Sequence, residues 1–473
     1  MAAPYDTAWL PAWQLRDALE RGELSAVEVT AASLARIEDL DPALRAFITV
    51  AGEQAMDDAR RADARAAAGA ALGPLHGVPV AVKDEVWTEG IASTGGSLLY
   101  RDFVPDRDGE VARRLRDAGA VIVGKTNMPE FAAYPRSKTR LAGESVNPYD
   151  LGRTSGASSG GSAAALAAGI VPLAIGSDGG GSIRIPASLC GVVGLYPTAG
   201  RVPDAGSYSY SPFASLGPMA RDVRDLSLLL SVLVADEGFA SVPDHGDAQS
   251  RAVRIAFTAD FGYIPVADGI VELVRHALDD LGDAIATVEE VDLRLEQVWE
   301  TFFVVSAAYG RYRADERPLP FTLTPEFDNF RRRPENFDLL CPYTQAAMSY
   351  PPPSEPEYTE GLVNQQHLAE QFAEVFARFD VIVSPTMAVV APPVDDGWGT
   401  PYDDDWMGTS FTAVVNMLRL TAVSYPVGLI DGLAVGLQIV GRAGDERTVL
   451  ELCRRLETVR PWTVRPGIAA GSA

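Results

Sequence analysis

Residues 156–187 read GASSGGSAAALAAGIVPLAIGSDGGGSIRIPA, and the order of residue types in that run sets the architecture. A Gly/Ser turn feeds "AAALAAG", a helix of small residues, and "VPLAIGS" follows as a buried strand. A second glycine turn, Gly179-Gly180-Gly181, then opens onto Ser182 and a further helix. Helices and strands alternate at short intervals, which is the pattern of an α/β protein.

The same alternation extends outward. "GVPVAV" (77–82) reads as a buried strand, "DGEVARRLRDAGA" as an amphipathic helix closed by Gly119, and "VIVGK" as the next strand. Towards the C-terminus, "FDVIVSPT" and "GLAVGLQIVG" read as strands, and "SFTAVVNML" and "DERTVLELCRRLE" as helices. Residues from about 12 to 65 are helical, with a Ser25-x-x-Glu28 capping box, a stop at Asp41-Pro42 and an alanine-rich helix beyond it. The stretch from about 240 to 380, rich in proline and aromatics with no clean period, reads as a variable insertion or lid over a pocket, or as a surface excursion. The expected fold is α/β: a large mixed, mostly parallel central sheet sandwiched between α-helices. One domain spans 1–473, with a core at 65–230, the variable segment, and C-terminal sheet and helices at 380–460.

The 473 residues are 47% hydrophobic and 22% charged, as in a soluble globular protein. A formal net charge of −24 disfavours non-specific binding to nucleic acid or to an anionic membrane. No window approaches a membrane span of roughly 18 uninterrupted apolar residues. The N-terminus lacks the basic and apolar segments of a secretory signal. Cys190, Cys341 and Cys453 are scattered without CxxC or ligand spacing and fit a reducing cytoplasm. His76, His245, His276 and His367 form no HxxxH pair, so neither metal nor cofactor is expected.

Several chemistries compete for the serine-rich turn. Gly156-Ala157-Ser158-Ser159-Gly160 matches GxSxG, which presents a nucleophilic serine in α/β-hydrolases. That mechanism needs a downstream acid and histidine, and the available histidines lie in unremarkable helical or acidic settings. A flexible linker is disfavoured because the run leads directly into a buried-looking helix and strand. A phosphate loop is disfavoured because no lysine stands before the helix.

Lysine is the other available base. Exposed, its amine is protonated at neutral pH, but apolar burial favours the uncharged form. Lys83 ends the strand "GVPVAV", where a charge is otherwise out of place, although it also reads as a strand-end lysine paired with Asp84 or Glu85. The second glycine turn is equally two-sided. Three glycines before a helix can aim their N–H groups into one concavity, an oxyanion hole with Ser182 at its lip. They can also form a plain turn capped by a serine.

The run 156–187 closely resembles the signature of the amidase signature family of serine hydrolases. Further blocks resemble the family too: "GPLHGVPVAVKDEV", "GAVIVGKTNMPEFA", "CGVVGLYPTAGRVP", "LGPMARDVRDLSLLL", "DVIVSPT", "FTAVVNMLRLTAVSYPVG" and "GLQIVGR". The resemblance covers most of the chain and weakens over about 240–380. It implies a Ser–Ser–Lys triad, with Ser182 as nucleophile, Ser158 as bridging serine after a cis peptide bond, and Lys83 as base. It also implies an oxyanion hole at Gly179, Gly180 and Gly181, bracing by Asp178 and Arg184, and hydrogen bonding near the turn by Ser159 and Ser162. Two positions depart from the family pattern. Ala157 stands where many members carry glycine, and Gly179 replaces the usual threonine of "DTGGS". Cys190 reads as core.

The resemblance fixes the bond broken, the C–N bond of an amide, better than it fixes the substrate. Tyr134, Tyr208, Tyr210, Phe213, Trp398, Tyr402, Trp406, Met407 and Phe411 form a bulky apolar set. They favour a hydrophobic small molecule, an aryl amide or an aryl carbamate (urethane), handled by a monomer or homodimer. The alternative is the glutaminase subunit of a tRNA-dependent amidotransferase, which works with partner chains.

Overall fold

Strand burial decides how the central segments assemble. All five residues of β2 (Pro79–Lys83) are buried, as are those of β3 (Val121–Thr126) and β4 (Leu173–Asp178). Continuous apolar runs of this kind are covered on both faces. The computed structural model describes residues 7–205, 211–240, 252–283, 285–312, 333–348, 351–394 and 410–468.

Among these residues one sheet holds eleven strands. The others are β1 (Phe47–Val50), β5 (Val193–Tyr196), β6 (Ser215–Ala220), β7 (Val253–Phe257), β8 (Ala286–Glu290), β9 (Val381–Pro385), β10 (Thr421–Ile430) and β11 (Leu433–Gly441). Their spatial order is β1-β3-β2-β4-β6-β5-β10-β11-β9-β7-β8. Helices cover both faces, as two glycines of β11 illustrate. Gly436 faces Ser188 of helix Arg184–Cys190, and Gly441, five residues on and so on the opposite face, meets Val449 of helix Glu446–Val459.

The sheet is mixed, but parallel pairing does not predominate. Parallel neighbours are confined to β3-β2-β4 and β9-β7-β8, and the other six pairings are antiparallel. Part of the reason lies in Asp431-Gly432, where both residues have positive φ, 51° and 81°. A two-residue turn of that conformation closes a hairpin, so β10 and β11 must be antiparallel.

Two further expectations change. The helix opened by the Ser25–Glu28 box does not stop at Asp41-Pro42 but runs from Ala26 to Leu44 through the proline. Asp41 accepts the Arg45 amide on its carbonyl, and its carboxylate takes the Ala46 amide at 2.6 Å, so the helix ends at Leu44, about one turn later. The segment read as an insertion or surface excursion supplies β7 and β8 to the same sheet, besides helices Val298–Tyr312 and Glu355–Arg378. No helix among the described residues is long and apolar enough to cross a membrane.

Candidate active site

The parallel register of β2 and β4 brings their C-terminal ends together, with Val82 opposite Ile175. Lys83 and Ser177-Asp178 therefore emerge side by side, at the edge where open α/β sheets commonly place ligands. Lys83 is fully buried, and its Nζ donates to Ser158 Oγ and to Ser177 Oγ, each at 2.7 Å. Burial pushes the amine below the usual lysine range, while Glu85 and, further off, Asp178 pull it back up.

Ser158 follows a cis Ala157–Ser158 peptide bond in the turn before helix Gly160–Ala167. Ser159 ties this turn to its neighbours. Its amide donates to the Ser182 carbonyl (3.1 Å), its Oγ donates to the Ser177 carbonyl, and it accepts the Ser177 amide, both at 3.2 Å. Ser162 donates to the Ile175 carbonyl at 2.9 Å. Ser158 is buried, whereas Ser182 is half-buried and borders the same cavity.

Asp178 organises the second glycine turn. Its carboxylate accepts the Gly181 amide (2.6 Å), the Ile183 amide (3.2 Å), Arg184 Nε (2.9 Å) and Asn416 Nδ2 (2.9 Å). Burial alone would raise this carboxyl, but Arg184, Asn416 and the Gly181 amide hold it below the usual range. Arg184, with no exposed surface, also donates to Gln438 Oε1 at 2.7 Å and lies over the Tyr196 ring at 5.0 Å. Of the three N–H groups expected in the oxyanion hole, that of Gly181 is engaged by Asp178, and Gly179 and Gly180 border the cavity.

The glycines of this turn have unequal room. A Cβ on Gly181, which has φ +126°, would collide with Thr412 Oγ1 and lie 2.7 Å from Ile185 Cδ1. A Cβ on Gly179 would meet Ala214 and Ser211 at 3.5 and 3.7 Å, which is ordinary contact. The departure from threonine thus falls where a side chain fits. Gly179→Thr is expected to change stability by less than about 1 kcal/mol. Gly181→Ala should cost on the order of 3 kcal/mol through crowding and backbone strain. Thermal melts of the two variants read the contrast, and equal melting temperatures would refute it.

The cavity beside Ser182 has a volume of about 320 Å³. Its apolar wall includes Phe131, Tyr134, Ile185, Trp299, Phe302 and Phe303. Tyr134, in that wall, is stacked on Tyr343 with ring centroids 4.3 Å apart. Phe213 does not line the cavity. It packs in the core, and its carbonyl accepts the Tyr196 hydroxyl at 2.6 Å. Phe411 is also core, while Tyr208, Tyr210, Trp398, Tyr402, Trp406 and Met407 lie outside the described residues.

Sequence reasoning missed Ser177 and the Trp299/Phe302/Phe303 group, and read Glu85 only as a possible strand-end partner of Lys83. The aromatic group had a signal: aromatics at i, i+3 and i+4 share one helix face. Cys190 is buried and unpaired. Among the described residues no group of three His, Cys, Asp or Glu side chains is arranged to hold a metal ion.

A glutamyl-tRNA(Gln) amidotransferase subunit of Moorella thermoacetica is 34% identical, over 95% of this chain and 96% of its own length. A bacterial aryl acylamidase of the amidase signature enzymes superposes with a TM-score of 0.80 at 27% identity, covering 96% of this chain and 97% of its own. The peptide amidase of Stenotrophomonas maltophilia superposes with a TM-score of 0.79 at 30% identity, covering 98% and 99%. The sequence profile of the amidase family matches residues 28–450. With that match spanning nearly the whole molecule, the chain belongs to the amidase family, the amidase signature enzymes that act on C–N bonds.

Proposed function

We propose that this chain hydrolyses amides through an acyl-enzyme on Ser182, with Ser158 as relay and Lys83 as base. The observation that carries the reading is the fully buried Lys83 amine, 2.7 Å from Ser158 Oγ, with Ser158 and Ser182 both lining the adjacent cavity. Neutral Lys83 accepts a proton from Ser158, which takes one from Ser182 Oγ as that oxygen attacks the carbonyl carbon. The Gly179 and Gly180 N–H groups are best placed to stabilise the oxyanion, since Asp178 occupies that of Gly181. The proton returns through Ser158 to the departing amine, and water cleaves the ester to free Ser182.

The walls favour an uncharged, aromatic or apolar substrate, an aryl amide or aryl carbamate. Glu85 is the one charged side chain among the described cavity residues, and no cation there would meet the α-carboxylate of glutamine. A second reading has its own support. The Moorella relative is an amidotransferase subunit, which favours a glutaminase working with partner chains.

A panel of nitroanilides, aryl carbamates, primary amides and glutamine, offered to the purified chain, separates the two. The first reading expects anilides or carbamates to be cleaved by the chain alone, at least about tenfold faster in kcat/KM than glutamine. Glutamine preferred, and used only with partner subunits present, would replace it with the second.

A further inference from the structure

The base needs to be a neutral amine, yet a carboxylate sits against it. Glu85 lines the cavity and is 2% exposed. Its Oε1 lies 3.4 Å from Lys83 Nζ, an ion pair at the cavity wall. An opposite charge this close, shielded from water, stabilises the ammonium form.

The other groups around the pair cannot take over this role. Ser158 and Ser177 present neutral hydroxyls to Lys83. Asp178, on β4, also favours the ammonium, but its charge is matched by Arg184 at 2.9 Å. On β3, Lys125 is buried, donates to the Val86 carbonyl and to Ser93 Oγ, and is pushed down to about 8 by burial against the pull of Asp84 and Glu85. Asp84 is occupied by the Thr94 and Gly96 amides.

We propose that Glu85 is a positioning residue for the base, holding the proton on Lys83 at low pH and so fixing where the acid limb of hydrolysis falls. The inference rests on Lys83 being the base. Without the carboxylate, burial of the amine is opposed only by Asp178, and Lys83 sheds its proton at lower pH.

The test compares pH profiles of kcat/KM, and of the rate of Ser182 labelling by a fluorophosphonate, for the native chain and Glu85→Gln. The variant's acid limb should move to lower pH by about one unit or more, and Glu85→Asp should move it back. Superimposable profiles would overturn the proposal. So would a folded Glu85→Gln inactive at every pH, because the carboxylate would then take part in the chemistry itself. Should Glu85→Gln fail to fold, Glu85→Met carries the same expected shift. Lys83→Ala and Ser182→Ala are assayed alongside. If they remain active, the base assignment falls and the inference with it; if they are inactive while Glu85→Gln matches the native profile, only the inference falls.

Discussion

Ser182→Ala is expected to lower kcat/KM by about 10⁴-fold or more, the scale seen when a hydrolase loses its nucleophile. Ser182 is half-buried and borders the cavity, at the end of the turn that Asp178 holds. Its carbonyl, which alanine keeps, accepts the Ser159 amide, so that tie between the two turns survives the substitution. The loss should therefore appear in turnover with little change in melting temperature. Mass spectrometry after fluorophosphonate treatment should place the adduct on Ser182. An adduct on Ser158 would instead restore the GxSxG reading of the first turn.

Lys83→Ala is expected to be the second most damaging change, at about 10³-fold or more, the upper part of the range for losing a general base. The substitution removes the one side-chain donor to Ser158 Oγ among the described residues, and leaves Glu85 and Ser177 facing a space where the amine was. A buried carboxylate without its partner is costly, so some destabilisation accompanies the loss. Two readouts separate the effects: melting temperature, and recovery of activity on adding a small primary amine that can occupy the vacated space. A folded variant with activity within about tenfold of native would remove Lys83 from the mechanism.

The fold was legible where one period dominated. "GVPVAV", "VIVGK" and "VPLAIGS" are buried on both sides, and their apolar runs announce strands directly. The antiparallel half was harder to see. The hairpin β10–β11 hid because only β11 was recognised, although Asp431-Gly432 between two apolar runs is the usual mark of such a turn. Pro42 misled because a proline in the last turn of a helix gives up one hydrogen bond without ending it, once Asp41 supplies the next amides with acceptors.

The candidate site was legible in proportion to how local it is. Lys83, Ser158 and Ser182 were singled out together by the resemblance of their motifs to the family signature; Ser158 and Ser182 line one cavity, and Lys83 lies buried behind Ser158, hydrogen-bonded to it. The aromatic wall was not local. Phe213 and Trp299 look alike as apolar residues, and only the three-dimensional course of the chain sends one to the core and the other to the cavity. Glu85 was read as a bland ion-pair partner for Lys83. The ion pair is there, but its place in the cavity wall could not be read from sequence.

Arg184 has a consequence for the history and engineering of such enzymes. It sits next to the turn that carries Ser182, yet it is gripped by Asn416 and Gln438, more than two hundred residues further along the chain. The thirty-odd residues that advertise the chemistry are therefore not a portable cassette. Grafted onto another scaffold, or left behind by a truncation before residue 410, they would lose the clamp that shapes them. Selection on this turn must act on two distant stretches of the gene at once.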